Sequence, residues 1–138
     1  ERQYCAPGID LPIASILRTK YKNYPEYHTS LDDLENVVTP KGLNGGYWAI
    51  RKAVEAIEKN KKYKVTVLCE PQMGKRGLYS TLSTKKRDAK KMLMMNLISL
   101  CDGQCSLIEI AETLNVPIWT LYDVVDELKN HSLIDINE

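Results

Sequence analysis

The sequence predicts an α/β module over residues 1–83, followed by a small helix-turn-helix module over residues 84–138. In the first module, short apolar or β-branched runs flank one long amphipathic segment, whereas the second contains three helical patterns and a final strand pattern. The charge also changes sign: residues 1–83 carry 13 Lys and Arg against 9 Asp and Glu, and residues 84–138 carry 6 against 9. Such an asymmetry is typical of two modules with different surfaces.

The composition is that of a folded chain with one ordinary domain or two small ones. Of the 138 residues, 43% are hydrophobic and 27% are charged, which argues against a disordered chain. No apolar run approaches the roughly 18 residues that cross a bilayer, and no apolar secretory start is present. We therefore expect a cytoplasmic protein without membrane contact. Because the sequence opens on Glu1 rather than methionine, we also expect it to be part of a longer chain.

The four cysteines do not form the pattern of a structural zinc site. Cys101 and Cys105 are four residues apart, whereas Cys5 and Cys69 stand alone. A structural zinc site prefers two closely spaced pairs. We therefore favour free buried thiols in a reducing compartment over a cysteine zinc site.

In the first module, the patterns predict a strand, a loop, a helix and a second strand. The apolar residues 13–17 indicate a buried strand, and the polar residues 21–33 indicate a loop. Thr39 and Pro40 have the features of a helix N-cap and first turn. One face of the helix that follows is apolar; its residues are Leu43, Tyr47, Ile50, Val54 and Ile57. The β-branched residues 63–68 predict the second strand.

In the second module, the patterns predict the order helix, helix, turn, helix, strand. Residues 88–100 form the first helical pattern, which Asp102-Gly103 terminates. Ser106 and Glu109 have the spacing of a capping box at the start of the second helix. Residues 118–129 predict the third helix and residues 133–136 an edge strand. This order is that of a winged helix-turn-helix domain.

The charges of the third helix argue against the DNA binding that this fold often performs. Its acidic residues, Asp123, Asp126 and Glu127, outnumber Lys129, and such a surface repels the phosphate backbone. We therefore expect a docking or oligomer-forming role, with a homo-oligomer as one option and DNA as the disfavoured partner. Trp119 and Tyr122, near the start of this helix, are candidates for the docking surface, although a core role is the alternative for either.

His28 is the candidate metal ligand, but its spacing alone gives no metal signature. The only other histidine, His131, lies at the far end of the chain. From the residues alone, a loop histidine that is hydrogen bonded to a neighbour is therefore the favoured interpretation.

The residues around His28 resemble the last metal-ligand loop of the di-zinc aminopeptidases. In that family, as in residues 27–32, a His-Thr pair is followed shortly by Asp, and a long helix comes next. Residues 1–12 and 69–79 are similar to segments of a bacterial aminopeptidase-like family of poorly defined activity, whose members end in a winged helix. This resemblance covers essentially the whole chain.

The resemblance implies a zinc-dependent aminopeptidase-like hydrolase in which His28 supplies one zinc ligand. The other ligands and the general base would lie in the upstream part of the same polypeptide. The present chain would hold no complete catalytic set and would be inactive alone. Glu1 and Arg2 resemble part of a loop near the active site. Together with Tyr27 and Asp32 they are candidates either to support the metal ligand or to contact substrate, and for Asp32 we favour a hydrogen-bond acceptor that orders the loop over a ligand. The alternative is a DNA-binding winged-helix regulator with a degenerate peptidase-like sensing domain.

Overall fold

A computed structural model describes residues 2–78 and 85–137. Its elements are α1 (Pro40–Lys59), β1 (Lys62–Val65), a 3₁₀ turn (Met73–Arg76), α2 (Lys85–Leu100), β2 (Asp102–Ser106), α3 (Leu107–Thr113), a second 3₁₀ turn (Ile118–Thr120), α4 (Tyr122–Asn130) and β3 (Ile134–Ile136). The chain divides into two compact units, Glu1–Val54 and Glu55–Glu138. The boundary predicted between residues 83 and 84 lies outside the described residues.

The first unit consists of turns and the first part of α1. Residues 13–17 form no strand, and the side chains of Ile13, Ile16 and Leu17 are 43%, 58% and 52% exposed. The prediction of a buried strand here is wrong. A strand needs a neighbour for its backbone hydrogen bonds, and the described residues of this unit provide no second strand.

Helix α1 begins where the sequence predicts. The Thr39 hydroxyl accepts a hydrogen bond from the Gly42 N–H at 3.0 Å, and Pro40 is the first helical residue. The apolar face does not behave as expected of a core helix. All five of its residues are exposed, from 50% at Val54 to 72% at Ile57. Within residues 2–78 and 85–137, no helix is both long and apolar enough to cross a bilayer.

The second unit contains a three-stranded antiparallel sheet in the order β2-β1-β3. Strand β1 pairs with β2 through Lys62 and Ser106, and with β3 through Val65 and Ile134. By its position in the sequence, this strand was expected in the first module. Its pairing on both edges instead makes it the central strand of the second unit.

Strand β2 was missed in the sequence. Its residues were assigned to a helix stop, because Asp102 and Gly103 are turn residues with low strand preference. The Asp102 carboxylate does cap a local turn, accepting the Gln104 N–H at 2.7 Å. Pairing with β1 nevertheless makes the segment a strand, which is an example of tertiary contacts overriding local preference.

The hydrophobic core of the second unit lies between the sheet and helices α2, α3 and α4. Leu97, Leu121 and Leu128 are fully buried at its centre. The third helical pattern has its apolar residues Leu121, Val124, Val125 and Leu128 buried, as expected of a helix that packs on the core, although the helix is divided into the 3₁₀ turn and α4. The capping box at the start of α3 is also confirmed: the Ser106 N–H donates to Glu109 Oε2 at 2.6 Å and the Ser106 hydroxyl accepts the Glu109 N–H.

Candidate functional site

His28 lies in a loop of consecutive turns that precedes α1. Its backbone φ of 61° is in the left-handed region, which is uncommon for a residue other than glycine. The side chain is exposed and stacks on Tyr27, with the ring centroids 4.2 Å apart. In the part of the chain that the structure describes, the imidazole makes no hydrogen bond, contrary to the interpretation from spacing alone. Both ring nitrogens are therefore open to a ligand.

Thr29 closes the turn that presents His28. Its backbone N–H and its hydroxyl both donate to the Glu26 carbonyl, at 2.9 and 2.7 Å. The hydroxyl also accepts the Leu31 N–H at 3.2 Å. A short side chain that bonds both sides of a turn restricts the local backbone. The His-Thr pair therefore positions the imidazole through the threonine.

A tyrosine cluster holds the other side of the loop. Tyr27 contacts the rings of Tyr21 and Tyr24, with centroid separations of 6.0 and 5.8 Å. The Tyr24 hydroxyl donates to Asp32 Oδ2 at 3.1 Å. Partial burial and then the hydrogen bond to the Asp32 carboxylate raise the pKa of Tyr24. Asp32 thus acts as a hydrogen-bond acceptor within the loop.

Asp33 orders the end of the loop, a role that the sequence analysis overlooked. Asp33 Oδ1 accepts hydrogen bonds from the backbone N–H groups of Glu35 and Asn36, both at 2.9 Å. These bonds, led by that of Asn36, lower the pKa of the Asp33 carboxyl. Aspartate bonding to backbone two and three residues ahead is the usual Asx turn, so its position before a polar run was the available signal.

Two open clefts lie beside this loop. Arg2, Gln3, Tyr21, Lys22 and Tyr27 line one of about 1030 Å³. The other, of about 570 Å³, includes Arg18, Tyr24 and Asp32 in its walls. The structure therefore brings the candidates Arg2 and Tyr27 together and places Asp32 in the neighbouring cleft. Glu1 lies outside the described residues.

The described residues hold no complete zinc site. Among them, no group of three or more His, Cys, Asp or Glu side chains could hold a metal ion. All four cysteines are free. Burial raises the pKa of the Cys101 thiol to about 12, which disfavours the thiolate that binds zinc. Since stable zinc sites need three or four protein ligands, His28 alone does not make one.

The solvent-facing side of α4 is acidic, as its sequence suggests. Asp123 and Asp126 are exposed, and Glu127 pairs with Lys90 of α2 at 2.6 Å. Of the two docking candidates, Trp119 is 48% exposed, whereas Tyr122 is 8% exposed and lies in the core. Tyr122 is therefore corrected to a core residue that Lys59 covers, with its Nζ 4.2 Å from the ring centroid.

The order of α2, β2, α3, α4 and β3 is that of a winged helix, and a family model decides the assignment. Residues 61–136 match the model described as winged helix-turn-helix. The chain belongs to the winged helix-turn-helix family. In this winged-helix chain, residues 1–60 match a separate model, a domain of unknown function (DUF4910). The family match thus begins next to β1, in agreement with the position of that strand in the second unit.

Two similar proteins from Clostridium acetobutylicum carry peptidase-type names. One, provisionally named a polysaccharide biosynthesis protein with an aminopeptidase-like domain, is 35% identical over 113 residues, covering 80% of this winged-helix chain and 26% of that protein. The other is a crystal structure of a provisionally named peptidase, with 29% identity and a TM-score of 0.81. The match covers 98% of this chain and 29% of that one. The chain therefore spans less than a third of either relative, and the coarse resemblance to an aminopeptidase-like protein is supported.

Proposed function

We propose that residues 2–60 form part of the catalytic domain of a zinc-dependent aminopeptidase-like hydrolase, with His28 as one zinc ligand. The observation that carries the proposal is the exposed imidazole of His28, whose nitrogens have no hydrogen-bond partner in the described residues although the surrounding loop is ordered by several bonds. A metal ligand needs one open ring nitrogen, and the acceptor that usually holds the other nitrogen would come, in this proposal, from another part of the polypeptide. The names of the two relatives support the reaction class.

The neighbours of His28 have positioning roles in this proposal. Tyr27 stacks on the imidazole and limits its rotation, while Thr29 and the Tyr24–Asp32 hydrogen bond fix the turn. Arg2 and Tyr27 share a cleft and are the candidates for contact with substrate. When bound, zinc would supply a water of lowered pKa and polarise the scissile carbonyl.

The remaining ligands and the general base belong, in this proposal, to other parts of the same polypeptide. The same parts would cover the exposed apolar face of α1, because five exposed apolar side chains along one helix are unfavourable in water. Two relatives of which this chain covers 26% and 29% have ample length for such a domain.

The two histidines of the chain provide a matched test in the full-length parent protein. We expect His28→Ala to lose at least one equivalent of zinc and to lower peptide hydrolysis by about 100-fold or more, since even residues that only support a ligand contribute about 10–100-fold. His131→Ala, at the exposed C-terminal end of α4, is the control and should change neither. Metal content is measured by mass spectrometry of the purified proteins. Full zinc occupancy in His28→Ala would exclude His28 as a ligand.

The 138-residue chain alone should be inactive and should bind zinc weakly. A single imidazole holds zinc poorly without further ligands. Isothermal titration with zinc checks this point, and submicromolar affinity that disappears in His28→Ala would show that the chain holds a complete site after all.

The winged helix is proposed as an accessory module for protein docking. The two exposed aspartates of α4 support this role, because the DNA phosphates would repel an acidic helix in the major groove. Fluorescence anisotropy with mixed-sequence duplex DNA at low salt tests the proposal. We expect no binding by the natural chain and salt-sensitive binding by an Asp123→Lys/Asp126→Lys variant. Strong, salt-sensitive binding by the natural chain would favour the DNA-binding regulator instead.

A further inference from the structure

A third cleft lies in the second unit, where the last turn of α1, strand β1 and helix α4 meet. Its volume is about 240 Å³, which is the size of a small organic molecule rather than of a peptide segment. Leu107 and Val125 give it an apolar wall, and three lysines, Lys59, Lys61 and Lys129, surround it. None of these residues belongs to the His28 loop.

Two tyrosines in this cleft have hydroxyl groups without a hydrogen-bond partner in the described residues. Tyr63 and Tyr122 are only 6% and 8% exposed, yet neither hydroxyl makes a hydrogen bond within residues 2–78 and 85–137. In the same ranges, no fully buried polar side-chain atom lacks a partner, so both hydroxyls keep some contact with solvent. A largely buried tyrosine hydroxyl ordinarily has a partner. Burial raises the pKa of both hydroxyls, and nearby carboxylates, Asp126 for Tyr63 and Glu55 for Tyr122, raise it further.

The charges that line the cleft are mixed, with three lysines and two carboxylates, Glu58 and Asp126. Lys59 is engaged, with its Nζ 3.4 Å from Glu55 and above the ring of Tyr122. Lys61 and Lys129 form no ion pair with any residue that the structure describes. Glu58 and Asp126 also line the cleft, so a highly charged polyanion would be repelled.

We propose that this cleft binds a small organic anion, with its carboxylate or phosphate held by Lys61 and Lys129 and by the two tyrosine hydroxyls. The apolar body of the ligand lies against Leu107 and Val125. Such an occupant contacts β1 and α4 together, and it therefore links the central strand of the sheet to the third helix of the winged domain. The inference is independent of the zinc proposal, because the residues proposed to hold the ligand belong neither to the His28 loop nor to the two clefts beside it.

Three probes of similar size, tested on the 138-residue chain, distinguish whether the site needs a negative charge and which anion it prefers. Phenyl phosphate and benzoate carry the two kinds of anion on one ring, and benzyl alcohol carries no charge. We expect at least one anion to bind five times or more tightly than benzyl alcohol and to shift the backbone amide resonances of β1 and α4. The tighter anion identifies the group that the site prefers. Failure of both anions to bind, or equal binding of benzyl alcohol, would overturn the proposal.

Exposed lysines supply variants that should leave the fold intact. We expect Lys61→Gln and Lys129→Gln each to weaken binding of the preferred anion by roughly fivefold, as for the loss of one partly exposed ion pair. Lys75→Gln, at an exposed lysine of the first 3₁₀ turn outside the cleft, is the matched control. Tyr63→Phe keeps the ring and removes one hydroxyl, so it too should weaken binding. Affinity that is unchanged in both cleft lysine variants would place the anion elsewhere.

Discussion

Gly103 in strand β2 should be intolerant of even a methyl group. Its φ is +84°, and a side chain in that region costs about 1–2 kcal/mol. A Cβ atom would also lie 2.9 Å from Asn137 Nδ2 and 3.1 Å from its Cγ. Asn137 would have to move and lose its 2.9 Å hydrogen bond to the Gly103 carbonyl, which is worth about 1 kcal/mol. We therefore expect Gly103→Ala to lower the free energy of unfolding by about 2–3 kcal/mol.

Urea denaturation followed by circular dichroism measures this loss of stability. A second glycine separates the backbone cost from the cost of moving Asn137. Gly77 has a similar φ of +70° but no atom within 4 Å of a built Cβ. Gly77→Ala should therefore cost only the backbone part, about 1–2 kcal/mol. Combining Gly103→Ala with Asn137→Ala should cost less than the sum of the two single variants, because the clash is removed. Equal losses for the two glycine variants would refute the role assigned to Asn137.

Three further predictions concern the core, the helix cap and the thiols of the second unit. Leu128→Ala, at a fully buried position, should cost about 2–5 kcal/mol in the same urea assay; a loss below 1 kcal/mol would contradict its central place in the core. Ser106→Ala should cost about 1 kcal/mol through loss of the α3 cap. Hydrogen bonds from the backbone and side chain of Ser106 lower the pKa of Glu109 in the folded chain. The ionised Glu109 carboxylate therefore stabilises the fold fully above the unfolded pKa of about 4.3, and this contribution is lost as pH falls through the lower folded pKa. Glu109→Gln should therefore flatten the acid limb of the stability profile, and an unchanged limb would argue against this carboxylate as its source. Iodoacetamide at pH 8 should modify the exposed Cys5 and Cys69 rapidly and Cys101 only after unfolding, as measured by mass spectrometry; early modification of Cys101 would show that its burial is transient.

The winged helix could be predicted from the sequence to the extent that its signals are local. The Ser106–Glu109 capping box, the inward face of α4 and the final edge strand all depend on residues within a few positions of one another. Strand pairing is different, because it depends on segments far apart in sequence. For that reason β1 was assigned to the wrong module and β2 was read as a helix stop.

The first unit shows the opposite limitation. Residues 13–17 and the face of α1 have the apolar patterns of buried elements, but their side chains are exposed in this chain. A periodic pattern reports which side of an element avoids water and not which partner covers it. The His28 loop was located by family resemblance, whereas the bonds that shape it, from Thr29, Tyr24 and Asp33, follow from the folded geometry.

The sheet order carries a consequence for the time course of folding. Strand β1 precedes all three helices of the winged domain, yet it lies between β2 and β3, which are not neighbours. The sheet is therefore complete only when β1 has paired with β2, with Lys62 opposite Ser106, and with β3, with Val65 opposite Ile134. Such distant pairings slow folding relative to helix formation. During synthesis from the N-terminus, one edge of β1 can pair once residues 102–106 have emerged from the ribosome, whereas its other edge stays unpaired until residues 134–136 follow.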